Sequence, residues 1–262
     1  MIIFVLFIKK FEEELYFCIN YWDLNVITVK NWYSLSSISE TLNHLNWVKI
    51  FIKLNIISAF NQLWIKEEDE TLIVFCTWFK LFKYLVMLFD LCNEFILFQK
   101  YINNTFCKHL NKFYTAYLND ILIYFNNELK YEIHIKFILR KLQEADLQIN
   151  ISKCKFHITQ VLYLELIIII EEIKMNSFKI NIIVNWFILI NVKDVQSFLD
   201  FANFYKRFIY EYSKIIISLT HLIKKYVLFI WFQKCQIAFN ILKKVFTFKI
   251  ILHHYNSDLS RF

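Results

Sequence analysis

Glycine and proline are both absent from all 262 residues, where average usage would supply about 18 of the first and about 13 of the second. Glycine serves where the backbone needs positive φ, and proline where φ must be fixed. Selection for a working fold therefore has no reason to remove both everywhere. The cause is to be sought in the DNA, because Gly and Pro codons are the G- and C-rich ones. The 29 Phe and a hydrophobic share of 58% fit the same drift of codons toward A and T.

Other absences bound the function class. The six cysteines, at 18, 76, 92, 107, 154 and 235, contain no Cys-x-x-Cys pair, and His253-His254 have no partner at metal spacing. That argues against structural zinc and for reduced, scattered thiols. The longest uncharged stretch, Ile180 to Val192, falls short of the roughly 18 to 20 apolar residues of a spanning helix. Met1 to Ile8 is apolar but is followed by Lys9-Lys10, with no preceding basic region and no small-residue cleavage site. Neither a transmembrane segment nor a signal peptide is therefore expected, and the location expected is intracellular. Repeats and flexible linkers are missing too. The net charge of +7 suits a partner rich in phosphate, although A-rich Lys codons would give the same sum.

What is present shows two periodicities. Val48 to Leu54 and Ala116 to Tyr124 are apolar runs of strand length, Glu132 to Leu147 has apolar residues at helical spacing, and Val161 to Ile170 reads as another strand. From Val192 onward helical spacing dominates. Val195, Phe198, Leu199, Ala202 and Tyr205 share one face, and Cys235, Ala238, Phe239 and Leu242 share another.

Motifs stand in order along this frame. Tyr117-Leu118-Asn119-Asp120 lies between apolar flanks, preceded by Phe51 to Gln62 and by Tyr84 to Asn93 with Phe98-Gln99. After it come Lys153-Cys154-Lys155-Phe156, Tyr163-Leu164-Glu165-Leu166 and Val192 to Phe208. Together with Phe4 to Lys10 and Leu15 to Asn25, these blocks resemble the reverse transcriptase of gypsy-type long-terminal-repeat retrotransposons, as a Pol polyprotein fragment. The resemblance implies an α+β right-hand polymerase fold, with an antiparallel sheet backed by helices and a helical thumb or connection behind it. It places fingers and palm in 1–170, with fingers at about 1–30 and 63–93 and palm at about 31–62 and 94–170. Residues 171–262 become thumb or connection, and Leu252 to Asp258 resembles the segment before a ribonuclease H domain.

The implied activity is RNA-directed DNA synthesis on a primer-template from deoxynucleoside triphosphates, with Mg²⁺ as cofactor. The family's three metal-binding aspartates fall on Asn55, Asn119 and Asp120, so one carboxylate of three remains. An Asn offers only a neutral carbonyl oxygen, and Mg²⁺, which dehydrates reluctantly, loses most of its reason to bind. For the nucleotide, the resemblance offers Lys9, Lys10, Phe60, Phe89 and Lys153, with Phe60 at the gate against ribonucleotides. A core Phe, two lysines on a solvated edge and a surface lysine are the plainer readings of the same residues. Tyr16 stands where the family has a phosphate-clamping arginine.

Departures from the pattern are mostly single G-to-A or C-to-T steps. Asp23, Asp90, Asp146, Glu165 and Asp200 stand at family glycines, and Leu88, Ser177 and Ser218 at prolines. Asn20, Asn55, Asn119 and Asn176 stand at aspartates, and Trp22, Cys76 and Trp78 at arginines. The expectation is a degenerate copy without activity. The alternatives are a non-enzymatic nucleic-acid-binding remnant and an apolar membrane-associated protein.

Overall fold

The computed structural model describes residues 5–9, 15–33, 41–42, 44–45, 48–107, 110–125, 130–170, 172–248 and 251–252. Chain contacts divide it into two units, Met1–Leu45 with Ile50–Ile158, and Asn46–Lys49 with Thr159–Phe262.

The first unit opens with β1 (Val5–Lys9) and β2 (Leu15–Ile19), an antiparallel pair, followed by α1 (Trp22–Ile27). Next come β3 (Ile50–Asn55), the short hairpin β4 (Phe75–Cys76) and β5 (Leu81–Phe82), and α2 (Glu94–Phe106). β6 (Tyr114–Tyr117), β7 (Asp120–Phe125), α3 (Tyr131–Glu144) and β8 (Lys155–Ile158) complete it. The main sheet has the order β6-β7-β3-β8 and is antiparallel throughout. Its inner strands β3 and β7 read as nearly unbroken apolar runs because both of their faces are covered. On one side α2 and α3 share a core with the sheet that includes Phe98, Ile102, Phe106, Tyr114, Ile123 and Leu142.

α2 buries Glu94, Phe98, Gln99, Ile102 and Phe106, the spacing of one helical face. Two of these are polar and serve differently. Gln99 is hydrogen-bonded to the β6–β7 hairpin and to Asn103, whereas Glu94 is 1% exposed and its Oε2 is without a hydrogen-bond partner. Burial, with the nearby Asp90 adding to it, pushes the Glu94 carboxyl up to about 7. The native state thus holds this proton where the unfolded chain has released it. Stability is expected to be greatest below the ordinary glutamate range and to fall as pH rises to about 7. Glu94→Gln should flatten that dependence and stabilise the chain at pH 8 by about 2 kcal/mol. Urea unfolding of both proteins at acid and alkaline pH checks this; parallel curves would contradict it.

The second unit begins with β9 (Gln160–Tyr163), β10 (Leu166–Ile169) and β11 (Glu172–Met175), joined at the edge by β12 (Ile251–Leu252). The segment that reads as one strand from Val161 to Ile170 is therefore a hairpin. Leu164 (φ 50°) and Glu165 (φ 62°) form its two-residue turn, both left-handed, a geometry that ordinarily announces itself through Asn-Gly. α4 (Ser177–Val184), α5 (Val192–Phe204), α6 (Tyr212–Leu222) and α7 (Gln233–Phe248) follow. The helical faces expected from Val195 to Tyr205 and from Cys235 to Leu242 are buried. Among the described residues no helix is long and apolar enough to cross a membrane.

Of the five positions resembling family glycines, Asp90 (φ 83°), Asp146 (φ 52°) and Glu165 (φ 62°) have left-handed backbone. Asp23 and Asp200 lie inside α1 and α5. Asp146 ends α3 in a Schellman arrangement. The N–H of Leu147 donates to the carbonyl of Leu142 at 2.9 Å, and that of Asp146 to Gln143 at 3.1 Å.

Candidate active site

The β6–β7 hairpin turns through Leu118 and Asn119, between the paired residues Tyr117 and Asp120. Leu118 takes φ 51°, a conformation that costs a non-glycine residue roughly 1–2 kcal/mol, so something must hold the turn. Gln99 of α2 does. Its Oε1 accepts the Leu118 N–H at 2.8 Å, and its Nε2 donates to the Ala116 carbonyl at 3.0 Å. One buried amide thereby clamps both sides of the turn.

The antiparallel register sets Asn55, the last residue of β3, opposite Asp120, the first of β7. The Ile56 N–H donates to the Asn119 carbonyl at 2.8 Å, which ties the turn to the strand beyond. Asn55, Asn119 and Asp120 are thus brought to one end of one sheet. The Asn55 and Asp120 side chains are occupied with each other and with a lysine. Asn55 Nδ2 donates to Asp120 Oδ1 at 2.9 Å, and Lys53 Nζ lies 2.8 Å from Asp120 Oδ2. Both oxygens of the remaining carboxylate therefore have cationic or N–H partners from β3. Asn119 is exposed at the tip.

The fit to Mg²⁺ follows from this donor set. A magnesium site uses carboxylates with free oxygens in near-octahedral geometry, and a two-ion site needs several of them. Here one carboxylate, balanced by a partly buried ammonium, stands with two neutral amides. Among the described residues no group of three His, Cys, Asp or Glu side chains could hold a metal ion. The residues present do not fit a pair of magnesium ions.

Lys53 was missed by a reading that looked for carboxylates, yet the signal was available: two residues before Asn55 on a strand, it must share Asn55's face. The nucleotide candidates are placed unevenly. Phe60 and Phe89 come together, with ring centroids 6.1 Å apart, in a cluster with Phe95 and Phe98. Phe60 also packs against the main core, so it has a structural task whatever else it does. Lys153 is exposed on the turn after Asn150, whose N–H donates to the Asn55 carbonyl at 2.8 Å. Lys9 ends β1, in a different sheet from Asn55 and Asp120. Lys10 lies outside the described residues, as do residues 253–262 of the tail.

A family model described as reverse transcriptase (RNA-dependent DNA polymerase) matches residues 4–168. The Retrovirus-related Pol polyprotein from transposon opus of Drosophila melanogaster is 29% identical over 211 residues, 80% of this chain and 21% of that protein. The Transposon Tf2-3 polyprotein of Schizosaccharomyces pombe is 29% identical over 252 residues, 96% of this chain and 19% of that protein. The chain thus spans about a fifth of the length of these curated relatives. Among solved structures, a foamy viral protease-reverse transcriptase in complex with an RNA/DNA hybrid superposes with a TM-score of 0.75 at 17% identity, covering 95% of this chain and 34% of that one. The same viral protein in a form bound to double-stranded DNA gives 0.79 at 17% identity, covering 94% and 44%. These likenesses show the fold, an α+β retroviral polymerase type with antiparallel sheets and helices.

Proposed function

Because the chain belongs to the reverse transcriptase (RNA-dependent DNA polymerase) family, we propose that it is the polymerase segment of a gypsy-type retrotransposon Pol polyprotein, in a degenerate copy that has lost metal-dependent catalysis. In this reading residues 1–170 are fingers and palm, and 171–262 are thumb or connection. The observation that carries the loss is the pairing of both Asp120 oxygens within the protein, by Lys53 and by Asn55. The Lys53 ammonium supplies at 2.8 Å the positive charge that a metal would otherwise bring. The three positions read as former arginines, Trp22, Cys76 and Trp78, are all exposed, where a charged side chain would have sat in water.

The partner that the reading implies is an RNA/DNA primer-template, held through phosphates by a chain of net charge +7. The relatives of known structure are an RNA/DNA-hybrid complex and a double-stranded DNA complex. Fluorescence anisotropy with a labelled primer-template is expected to show binding that weakens steeply with salt. Replacing EDTA with millimolar Mg²⁺ should not tighten it, because no ion bridges protein and primer end. Tightening of about tenfold or more on adding Mg²⁺ at constant ionic strength would count against the paired-carboxylate reading.

A further inference from the structure

The hairpin of β4 and β5 ends in an apolar knob. Trp78 is 101% exposed and Phe79 90%, and Leu81 beside them is 70% exposed. The turn that carries the two rings is braced from within. Thr77 donates through its N–H and its Oγ1 to the Lys80 carbonyl at 3.0 and 3.1 Å, and Oγ1 accepts from the N–H groups of Phe79 and Lys80 at 3.3 Å each. At the base of the hairpin Phe75 stacks on Phe82 and Tyr84, with ring centroids 5.8 and 5.4 Å apart. Two large rings held in water on a fixed support gain by being covered, and little ordering is left to oppose it.

The same unit also contains a hole. Beside α1 and the first turn of α2 lies a cleft of about 720 Å³, whose mainly apolar walls include Leu24, Ile27, Leu63, Trp64, Leu72 and Leu97. Hydrogen bonds tie these walls together. Asn25 donates to the Asp90 carbonyl at 2.6 Å and accepts from the Cys92 N–H at 2.8 Å, and Asn93 donates to the Val29 carbonyl at 2.9 Å. A hollow of that size admits more than one ring. Being fully exposed, Trp78 is not seated in the cleft of its own chain.

We propose that the cleft receives the Trp78-Phe79 knob of a second copy of this chain, a head-to-tail contact in which every molecule both gives and takes. Charge selects this cleft among the hollows of the molecule. Lys80, exposed on the knob, is matched by Asp69, which lines the cleft with an exposed carboxylate that caps nothing and has Glu67 close by in the chain. Of the two lysines on the lining, Lys66 is engaged by Glu68, and Lys100 stands on α2. Two other hollows fit less well. One of about 920 Å³ between α6 and α7 is lined by Lys214, Lys234 and His221 without an acid, so it repels Lys80. Another of about 840 Å³ has Gln62, Gln143, Asp146 and Gln148 in its walls, polar groups that the rings would strip of water. A heterologous contact does not saturate at a dimer but leads to rings or open chains. This inference is independent of the polymerase reading.

A contact this small is weak, with assembly expected at on the order of 10–100 µM. Sedimentation velocity of the full chain from about 1 to about 100 µM should show a weight-average coefficient that climbs without levelling at a dimer. Trp78→Arg, at a fully exposed side chain, should keep the chain monomeric throughout. Leu72→Glu in the cleft wall, at a side chain 53% exposed, should do the same. Mixed together, these two variants should form one-to-one dimers and nothing larger, because one brings an intact cleft and the other an intact knob. Lys80→Asp should weaken association by about tenfold, and adding Asp69→Lys to it should restore the contact. Both of these residues are exposed, so the exchange tests the contact and not the fold. An unmodified chain still monomeric at about 100 µM, association that survives Trp78→Arg and so belongs to another surface, or a mixture that stays monomeric would each overturn the proposal.

Discussion

A primer annealed to an RNA template is expected to come back unextended after incubation with this chain, deoxynucleoside triphosphates and Mg²⁺. Two-metal phosphoryl transfer needs ions held in line with the attacking and leaving oxygens, and in the proposed site Asp120 is the one carboxylate where the resemblance implies three. Its oxygens already receive Lys53 Nζ at 2.8 Å and Asn55 Nδ2 at 2.9 Å. Asn55→Asp with Asn119→Asp restores the charge, and the doubly changed chain should bind Mn²⁺ at least about tenfold more tightly by electron paramagnetic resonance. Either change alone should give far less, since the ligands act as a unit. Robust extension by the unmodified chain would sink the proposal of a lost site, and so would tight Mn²⁺ binding without any substitution.

The second large effect is on stability. Changing Asp90, Asp146 and Glu165 together to glycine should stabilise the chain by about 3 kcal/mol, roughly 1 kcal/mol for each left-handed residue relieved. For a chain of this size that raises Tm by roughly 6–12 °C. Each site has its own reason: a turn at φ 83° for Asp90, the end of α3 for Asp146, and the β9–β10 turn for Glu165. Asp23→Gly and Asp200→Gly supply the contrast. They resemble family glycines equally well but lie within helices, where glycine should cost from a few tenths to about 1 kcal/mol. Calorimetry that gave all five changes the same sign would show that backbone conformation is not what governs them.

Strand and helix patterns are legible in the sequence because they rest on Ile, Phe, Val and Leu, which are plentiful. The faces of α5 and α7 and the run of β3 were legible for that reason. Turns were not. Leu164-Glu165 carries none of the residues that normally mark a left-handed turn, and so two strands read as one. At the proposed site, the resemblance pointed to three positions that the sheet brings together, whereas the neutralising partner Lys53 required attention to strand period. The four Asn residues at family aspartates also part company once their contacts are known. Asn20 accepts from Trp22 N–H at 3.0 Å, and Asn176 accepts from Phe178 N–H at 3.0 Å at the start of α4. Such capping asks only for an acceptor oxygen, which Asn provides about as well as Asp. At Asn55 and Asn119 the requirement in the proposed site is charge, which Asn cannot provide.

The Gln99 clamp has a consequence at the level of the codon. Under the C-to-T erosion proposed for this locus, a glutamine codon has one exit, and that exit is a stop. Asp can decay to Asn and Gly to Asp while translation continues, but the residue whose Oε1 and Nε2 hold Leu118 and Ala116 is either intact or followed by nothing. Every readable copy that arises by this route and spans the hairpin must then carry the clamp. The shape of the turn is inherited all-or-none, while the charge it once presented can fade by degrees.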